Sequence, residues 1–369
     1  MPWPVLPAPD SSRTIVVALS GGVDSATAAA ALVRAGHRVV GMTMRLYDAR
    51  STGTARGRCC GPRDVEDARR VAEHLAIPFY VIDLEAAFTA AVVDDFVTTY
   101  LDGKTPNPCV RCNQYVKFSP LLDQARAIGA DVLATGHYGR IQPGPDGAPA
   151  LWRAVDPDKD QSYFLFSMPP AALGAVWFPL GGLAKPAVRA LAAELGLPNA
   201  AKPESQEICF VPDGDHAGFV AAAALRRGRP LPTAGTIVDA GGAVLGQHQG
   251  VHRFTIGQHR GLGNLRGLGP DDRRYVTALD PVAGTVTVGP LADAARVELI
   301  LDEPRWLGPL AAELTVQVRH RGPRVPARVV LGPPVRLELA APVVAAPGQA
   351  AVIYDGDRVV GGGWVSSPA

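Results

Sequence analysis

Thr14-Ile-Val-Val-Ala-Leu19, followed at once by Ser20-Gly-Gly-Val-Asp-Ser25 and then by the alanine-rich run Ala26–Ala35, decides the fold. A short apolar, β-branched run reads as a strand buried on both faces. Alanine is the best helix former, so the third segment reads as a helix. Between them Gly21 and Gly22 leave room for the backbone to approach a ligand closely. The same unit then repeats. Arg38–Met44 reads as a second strand, Arg63–Leu75 as a helix ending before Pro78, and Phe79–Asp83 as a third strand. Helical patterns cover roughly 85–100 and 115–128, and Asp131–Ala134 is a fourth strand. Strand and helix alternating in this way predict an α/β domain, a parallel sheet with helices on both faces. The helix Lys185–Leu195 closes it.

After about residue 205 the helical pattern fades. Short β-rich runs replace it between Gly and Pro turns: Gly235–Asp239, Tyr275–Asp280, Thr285–Val288, Leu314–Arg319, Ala327–Leu331, Val335–Leu339, Ala350–Tyr354 and Val359–Trp364. Regular short strands of this kind predict a small barrel or sandwich. A chain of 369 residues exceeds what one core usually organises. Three domains are expected, 1–205, 206–282 and 283–369, with Leu279-Asp280-Pro281 read as the second linker.

Composition narrows the class. Apolar residues make up 47% and charged residues 19%, as in ordinary globular proteins. The N-terminal stretch lacks a basic start followed by an apolar run, and no long uninterrupted apolar stretch occurs elsewhere, so a soluble cytoplasmic protein is expected. Net charge is only +1, but residues 226–336 hold 15 Arg, no Lys and 9 acidic residues. An Arg-biased region suits phosphate contacts, and equally a genome that favours Arg on solvated surfaces. Five cysteines without a secretory signal do not form a disulfide framework. Their grouping as Cys59-Cys60, Cys109-x-x-Cys112 and a solitary Cys209 suggests metal or sulfur chemistry.

Ser20–Ser25 is the strongest chemical signal. At a strand-to-helix junction its N–H groups and the helix N-terminus face one space, and Ser20 and Ser25 add hydroxyl donors. It is neither a dinucleotide fingerprint nor a Walker loop. It resembles the pyrophosphate loop (PP-loop) of enzymes that split ATP into AMP and pyrophosphate. Thr105-Pro-Asn-Pro-Cys-Val-Arg-Cys-Asn113 sets two cysteines in a rigid, proline-framed loop, where Arg111 and Lys117 would favour thiolates. The competing reading, a zinc half-site, lacks a second Cys or His pair nearby. Ala134-Thr-Gly-His-Tyr138 follows the fourth strand at the sheet edge where ligands bind. Gly136 could lie against a nucleotide, and His137 could meet a ligand or be a structural hydrogen-bonder. In Asp158-Lys-Asp-Gln-Ser-Tyr-Phe164, Lys159 and Gln161 could meet phosphate and base, or the stretch could be a capped turn. Cys209 stands in Ser205-Gln-Glu-Ile-Cys-Phe210.

Together with Gly246-Gln-His-Gln-Gly250, Thr255-Ile-Gly-Gln-His-Arg-Gly-Leu-Gly263 and the terminal Pro347–Gly363 stretch, these motifs run in the order found in the tRNA-specific 2-thiouridylase family, which the chain resembles over nearly its whole length. The resemblance implies an ATP-pyrophosphatase-like (PP-loop) domain, a small central domain and a C-terminal β-barrel that grips tRNA. It implies ATP-dependent thiolation at C2 of the wobble uridine of the tRNAs for Lys, Glu and Gln, with Mg²⁺ and a persulfide donor such as a cysteine desulfurase or sulfur carrier. Carried over by motif, Ala18, Leu19, Ser20, Gly21, Gly22, Val23, Asp24, Ser25, Met44 and Gly136 touch ATP. Asn107, Pro108 and Cys109 lie by the target base. His137, Lys159, Asp160, Gln161, Arg319, His320 and Gln349 contact tRNA, Cys112 is the nucleophile and Cys209 the persulfide carrier. The alternative is another PP-loop synthetase acting on a small molecule. Many family members have Asp at the position of Cys109. Cysteine there opens a second route, in which Cys109, Cys112 and Cys209 hold a four-iron four-sulfur cluster, beside one ending in a Cys112–Cys209 disulfide. Cys59 and Cys60 have no assigned role.

Overall fold

The computed structural model describes residues 13–46, 62–204, 208–211, 214–267, 269 and 272–366, so Cys59 and Cys60 lie outside the described residues. β1 (Thr14–Ala18) leads into α1 (Val23–Arg34), β2 (Arg38–Arg45), α2 (Pro62–His74) and β3 (Phe79–Asp83). α3 (Glu85–Phe88) passes through a π-helical turn into α4 (Asp94–Leu101). α5 (Pro108–Cys112), a second π turn over Asn113–Lys117 and α6 (Pro120–Ala127) precede β4 (Val132–Thr135). The proline-framed loop expected around the cysteines is therefore a helix. Pro108 fits its first turn, where no N–H partner is needed, and Asn107 caps it by accepting from the Val110 N–H.

The hairpin β5 (Arg140–Pro143) and β6 (Pro149–Trp152), the short α7 (Ser162–Leu165), β7 (Val176–Trp177) and α8 (Lys185–Glu194) complete the first unit. Its sheet runs β3-β2-β1-β4-β7, parallel throughout. Chain order reverses between β1 and β4, and the crevice beyond their carboxyl ends is where such sheets bind ligands. Ile15, Val16 and Val17 are wholly buried, as the continuous apolar run required.

The second half holds α9 (His216–Arg226), a helix that the fading pattern concealed, then β8 (Gly235–Val238), β9 (Val244–His248), β10 (Tyr275–Asp280) and β11 (Thr285–Gly289). These strands form one sheet around Ile237, Val276 and Val286. The expected linker at Leu279–Pro281 is instead the end of β10 and its hairpin turn, with Asp280 paired to Thr285. Asp280 accepts from the N–H groups of Val282 and Ala283, the Asx-turn chemistry that makes Asp a turn residue as readily as a linker residue.

β12 (Ala295–Trp306), β13 (Leu314–Gln317), β14 (Val325–Val330), β15 (Val335–Val344), β16 (Ala350–Asp355) and β17 (Arg358–Val365) close into a barrel through the β12–β17 pairing. The barrel is not a separable module. Val352, Tyr354 and Trp364 share one apolar cluster with Phe166, Cys112 and Met42 of the first unit. The Tyr163 hydroxyl donates to the Ala350 carbonyl at 2.9 Å, and β6 pairs with β17. Among the described residues, no helix is long and apolar enough to cross a membrane.

Candidate active site

Ser20–Ser25 bridges β1 and α1. The Ser25 hydroxyl donates to the Gly22 carbonyl at 3.1 Å and accepts from the Ser20 N–H at 3.1 Å, closing the loop on itself. Gly21 has φ +71°, and a Cβ there would lie 2.4 Å from the Asp64 carbonyl oxygen. Gly22 has an ordinary φ of −87° and stands at the N-cap of α1. Gly136, just past β4, lies so close to α1 that a Cβ would meet the Ser25 nitrogen at 2.6 Å. Together these place the carboxyl ends of β1 and β4 around one cavity of about 370 Å³. Its walls include Ala18, Leu19, Ser20, Gly22, Val23, Asp24, Ser25, Met44 and Gly136, all residues expected at ATP.

His137, Lys159 and Gln161, expected at tRNA, line the same cavity. Gln161 accepts from the Tyr138 N–H at 2.9 Å. His137 faces the Thr135 hydroxyl through Nδ1 and the Lys117 ammonium, 3.4 Å away, through Nε2. Burial, with the charge of Lys117, holds its imidazole well below the usual range, so at neutral pH it is uncharged.

The sequence reading missed Lys185 and Glu204, which join Asp24 and Lys159 in a lysine and carboxylate lattice lining the same cavity. Lys185 donates to both oxygens of Asp24 at 2.6 and 2.8 Å, and the Tyr138 hydroxyl donates to Asp24 at 2.9 Å. Glu204 pairs with Lys159 at 2.6 Å and Lys185 at 2.9 Å. Burial raises the Glu204 carboxyl, but hydrogen bonds from these two lysines prevail and hold it down at about 2. One sequence signal was available. Lys185 sits in the first turn of α8, where the helix dipole disfavours a cation, so a local carboxylate partner was to be expected.

The cysteine helix adjoins this cavity. Asn113, one residue beyond Cys112, donates to the Phe164 carbonyl at 2.8 Å and accepts from Lys117 at 3.1 Å. Lys117 in turn lines the cavity. Asn107 and Pro108 are buried, Cys109 is exposed and Cys112 is 7% exposed. Cys209 is half-buried and packs at the margin of the apolar cluster that contains Cys112. Among the described residues no three His, Cys, Asp or Glu side chains stand together as a metal-binding group. The expected three-thiolate set of Cys109, Cys112 and Cys209 is therefore not formed here. Cys109 and Cys112 share a helix, yet one meets solvent and the other the core.

Arg111 departs from expectation. Its guanidinium makes a two-pronged pair with Glu303 of the barrel at 2.8 and 3.1 Å. Its Nε lies 3.3 Å from Asp95, and the group stacks 4.1 Å from the Trp364 ring centre. Asp95 and Glu303 thus both offset the charge of Arg111. Glu303 reaches Arg111 from a bulge in β12, where it adopts φ +47°. Removing it by Glu303→Ala is expected to destabilise the chain by about 1–2 kcal/mol, a charged hydrogen bond discounted for the half-exposed carboxylate. A lower urea midpoint at unchanged slope would show it.

The remaining expected tRNA contacts spread over the barrel side. Arg319 is exposed, and His320 packs at a tilt against Phe164, 4.5 Å between ring centres. Gln349 donates to the Thr105 and Pro106 carbonyls at 3.1 and 2.8 Å, holding the segment that enters α5. Asp160 is turned inward, accepting from Arg153 at 2.7 Å and from the Ala154 and Ser162 N–H groups. Arg319 and Gln349 line a second cavity of about 620 Å³ with Thr105, His259, Arg260 and Tyr275.

Residues 13–213 match the tRNA methyl transferase HUP domain, 228–290 the tRNA methyl transferase PRC-barrel domain and 296–365 the aminomethyltransferase β-barrel domain. The chain is 49% identical to the tRNA-specific 2-thiouridylase MnmA of Rhodospirillum centenum, over 98% of this chain and 94% of that protein. The chain belongs to the tRNA-specific 2-thiouridylase family. A second relative of the same description, from Geotalea uraniireducens, is 46% identical over 96% of this chain and 95% of its own length. Among solved structures, NMN synthetase from Francisella tularensis is similar at a TM-score of 0.36 and 20% identity, over 60% of this chain and 79% of that one.

Proposed function

We propose that the chain is a tRNA-uridine 2-sulfurtransferase, which adenylates the wobble uridine at its C2 oxygen and replaces that oxygen with sulfur. The observation that carries this reading is the junction of two chemistries. A pyrophosphate loop and its lysines line one cavity, and the Asn113–Lys117–His137 contacts join that cavity to the helix bearing Cys112.

The C2 carbonyl of uracil is a poor electrophile with a poor leaving group. Attack of its oxygen on the α-phosphorus of ATP forms the new P–O bond and breaks the bond to pyrophosphate. The N–H groups of Ser20–Ser25 and the α1 N-terminus would stabilise the departing charge. Mg²⁺ would reach the site on the phosphates. The carboxylates beside the loop, Asp24, Asp64 and Glu204, are each held by a lysine. In the persulfide route Cys209 carries the sulfur. Cys112 thiolate attacks the inner sulfur, sulfide departs to C2, AMP leaves, and the Cys112–Cys209 disulfide is reduced by an external thiol. The persulfide donor is a cysteine desulfurase or sulfur carrier, the substrates are the tRNAs for Lys, Glu and Gln, and the compartment is the cytoplasm.

Nucleoside mass spectrometry on tRNA from a strain lacking this chain tests the reading. Loss of wobble 2-thiouridine, restored by the intact gene, is expected. Retention of full thiolation would favour a synthetase acting on a small molecule, which would release pyrophosphate without tRNA.

A further inference from the structure

A trans peptide places its carbonyl and the following N–H on opposite sides, so whatever holds the carbonyl aims the N–H. In the pyrophosphate loop the sensitive peptide is Gly21–Gly22, because glycine at φ +71° has little steric preference to fix it. The Gly21 carbonyl is held by two donors from far along the chain. Asn199 Nδ2 and Lys202 Nζ each donate to it at 3.1 Å.

Both donors stand on a fixed turn after α8. The Lys202 N–H closes onto the Asn199 carbonyl at 3.0 Å, and Arg189 of α8 donates to the Lys202 carbonyl at 3.4 Å. Lys202 is tied on its other side to Asp64 at 2.8 Å and Asp67 at 2.6 Å, both on α2. Asn199 is only 7% exposed, so its amide donor is placed rather than solvated. Gly22 lines the cavity, and Lys202 borders it with its ammonium committed to two carboxylates and a carbonyl.

We infer that Asn199 and Lys202 are positioning residues for adenylation: by fixing the Gly21 carbonyl, they aim the Gly22 N–H at the pyrophosphate of ATP. This rests on reading the loop as the ATP site. The arrangement couples three elements, α1, α2 and the turn after α8, so the loop is set before nucleotide arrives. A pre-aimed donor acts most on charge that develops as pyrophosphate leaves, so its loss lowers turnover more than it weakens ATP binding.

The test measures AMP formation by the full chain with tRNA and ATP, alongside thermal melting. Asn199→Ala and Lys202→Met are each expected to lower kcat by about 10-fold or more, since a misaimed donor costs less than the 10²–10³ of a deleted one. The KM for ATP should change by less than about threefold, as uniform binding is little affected. Lys202→Arg, which keeps a donor, should recover most of the rate. Wild-type kcat in both variants, or a loss explained wholly by the unfolded fraction, overturns the inference. Gly22→Val run in parallel separates the two ideas. If it is inactive while Asn199→Ala and Lys202→Met are normal, the ATP site stands and the positioning role falls. If Gly22→Val is itself active, the ATP reading falls.

Discussion

Gly22→Val is expected to cut AMP and pyrophosphate formation by at least about 100-fold, the scale of losing a preorganised donor's contact with the phosphate that the side chain displaces, in a chain that remains folded. The two loop glycines differ in what they tolerate. At Gly21 a side chain meets both a left-handed φ and the Asp64 backbone at 2.4 Å, so substitution there distorts the structure itself. At Gly22 φ is ordinary, and a Cβ approaches only the Ser20 hydroxyl, at 3.3 Å. That hydroxyl, which pairs with the Ser25 hydroxyl at 3.1 Å, need give by only a few tenths of an ångström, and the added side chain takes space that a phosphate would fill. Binding of tRNA should survive in large part, because Arg319 and Gln349 line a different cavity, although His137, Lys159 and Gln161 share this one. Single-turnover AMP formation, read beside tRNA affinity, checks both halves. Wild-type AMP formation would mean that nucleotide binds elsewhere.

How much of this was legible in the sequence depended on the range of the interactions. The parallel sheet was legible because each strand–helix unit is written locally, in apolar runs such as Ile15–Val17 and in the alanines of α1. The loop and Gly136 were legible for the same reason. The lysine lattice was not, because its pairs join residues far apart: Lys185 to Asp24, Lys159 to Glu204, Lys202 to Asp64. Arg111 misled because its nearest charged groups in sequence are not its partners in space, which arrive from Asp95 and Glu303. β12, the longest strand, escaped notice because its pattern is broken by the bulge around Asp302–Arg305. The linker read at Leu279–Pro281 failed on local ambiguity, since Asp-Pro suits a tight hairpin as well as a domain boundary.

Cys112→Ala and Cys209→Ala are each expected to abolish thiolation, with ATP binding retained. Cys112 belongs to an apolar cluster against which Cys209 packs, although about half the length of the first unit separates them in sequence. Alanine at either position removes a sulfur without adding bulk or charge, so the fold should hold and the loss should be chemical. Cys109→Asp then separates the two sulfur routes. Cys109 is exposed while Cys112, one helical turn on, is buried, and a shared cluster, with each thiolate on its own iron, would require both sulfurs to face the same space. On the persulfide route Cys109 carries no sulfur, and Asp at an exposed position of α5 costs little, so thiolation should stay within about threefold of wild type, as for surface substitutions generally. On the cluster route the same change removes one of three ligands, and activity, iron content and visible absorbance should fall together. Anaerobic reconstitution with iron counted per chain, beside thiolation from a persulfide donor, decides between them. Active, iron-free Cys109→Asp protein that accumulates a Cys112–Cys209 disulfide after one turnover is the expected result. Loss of activity together with iron would reverse the assignment.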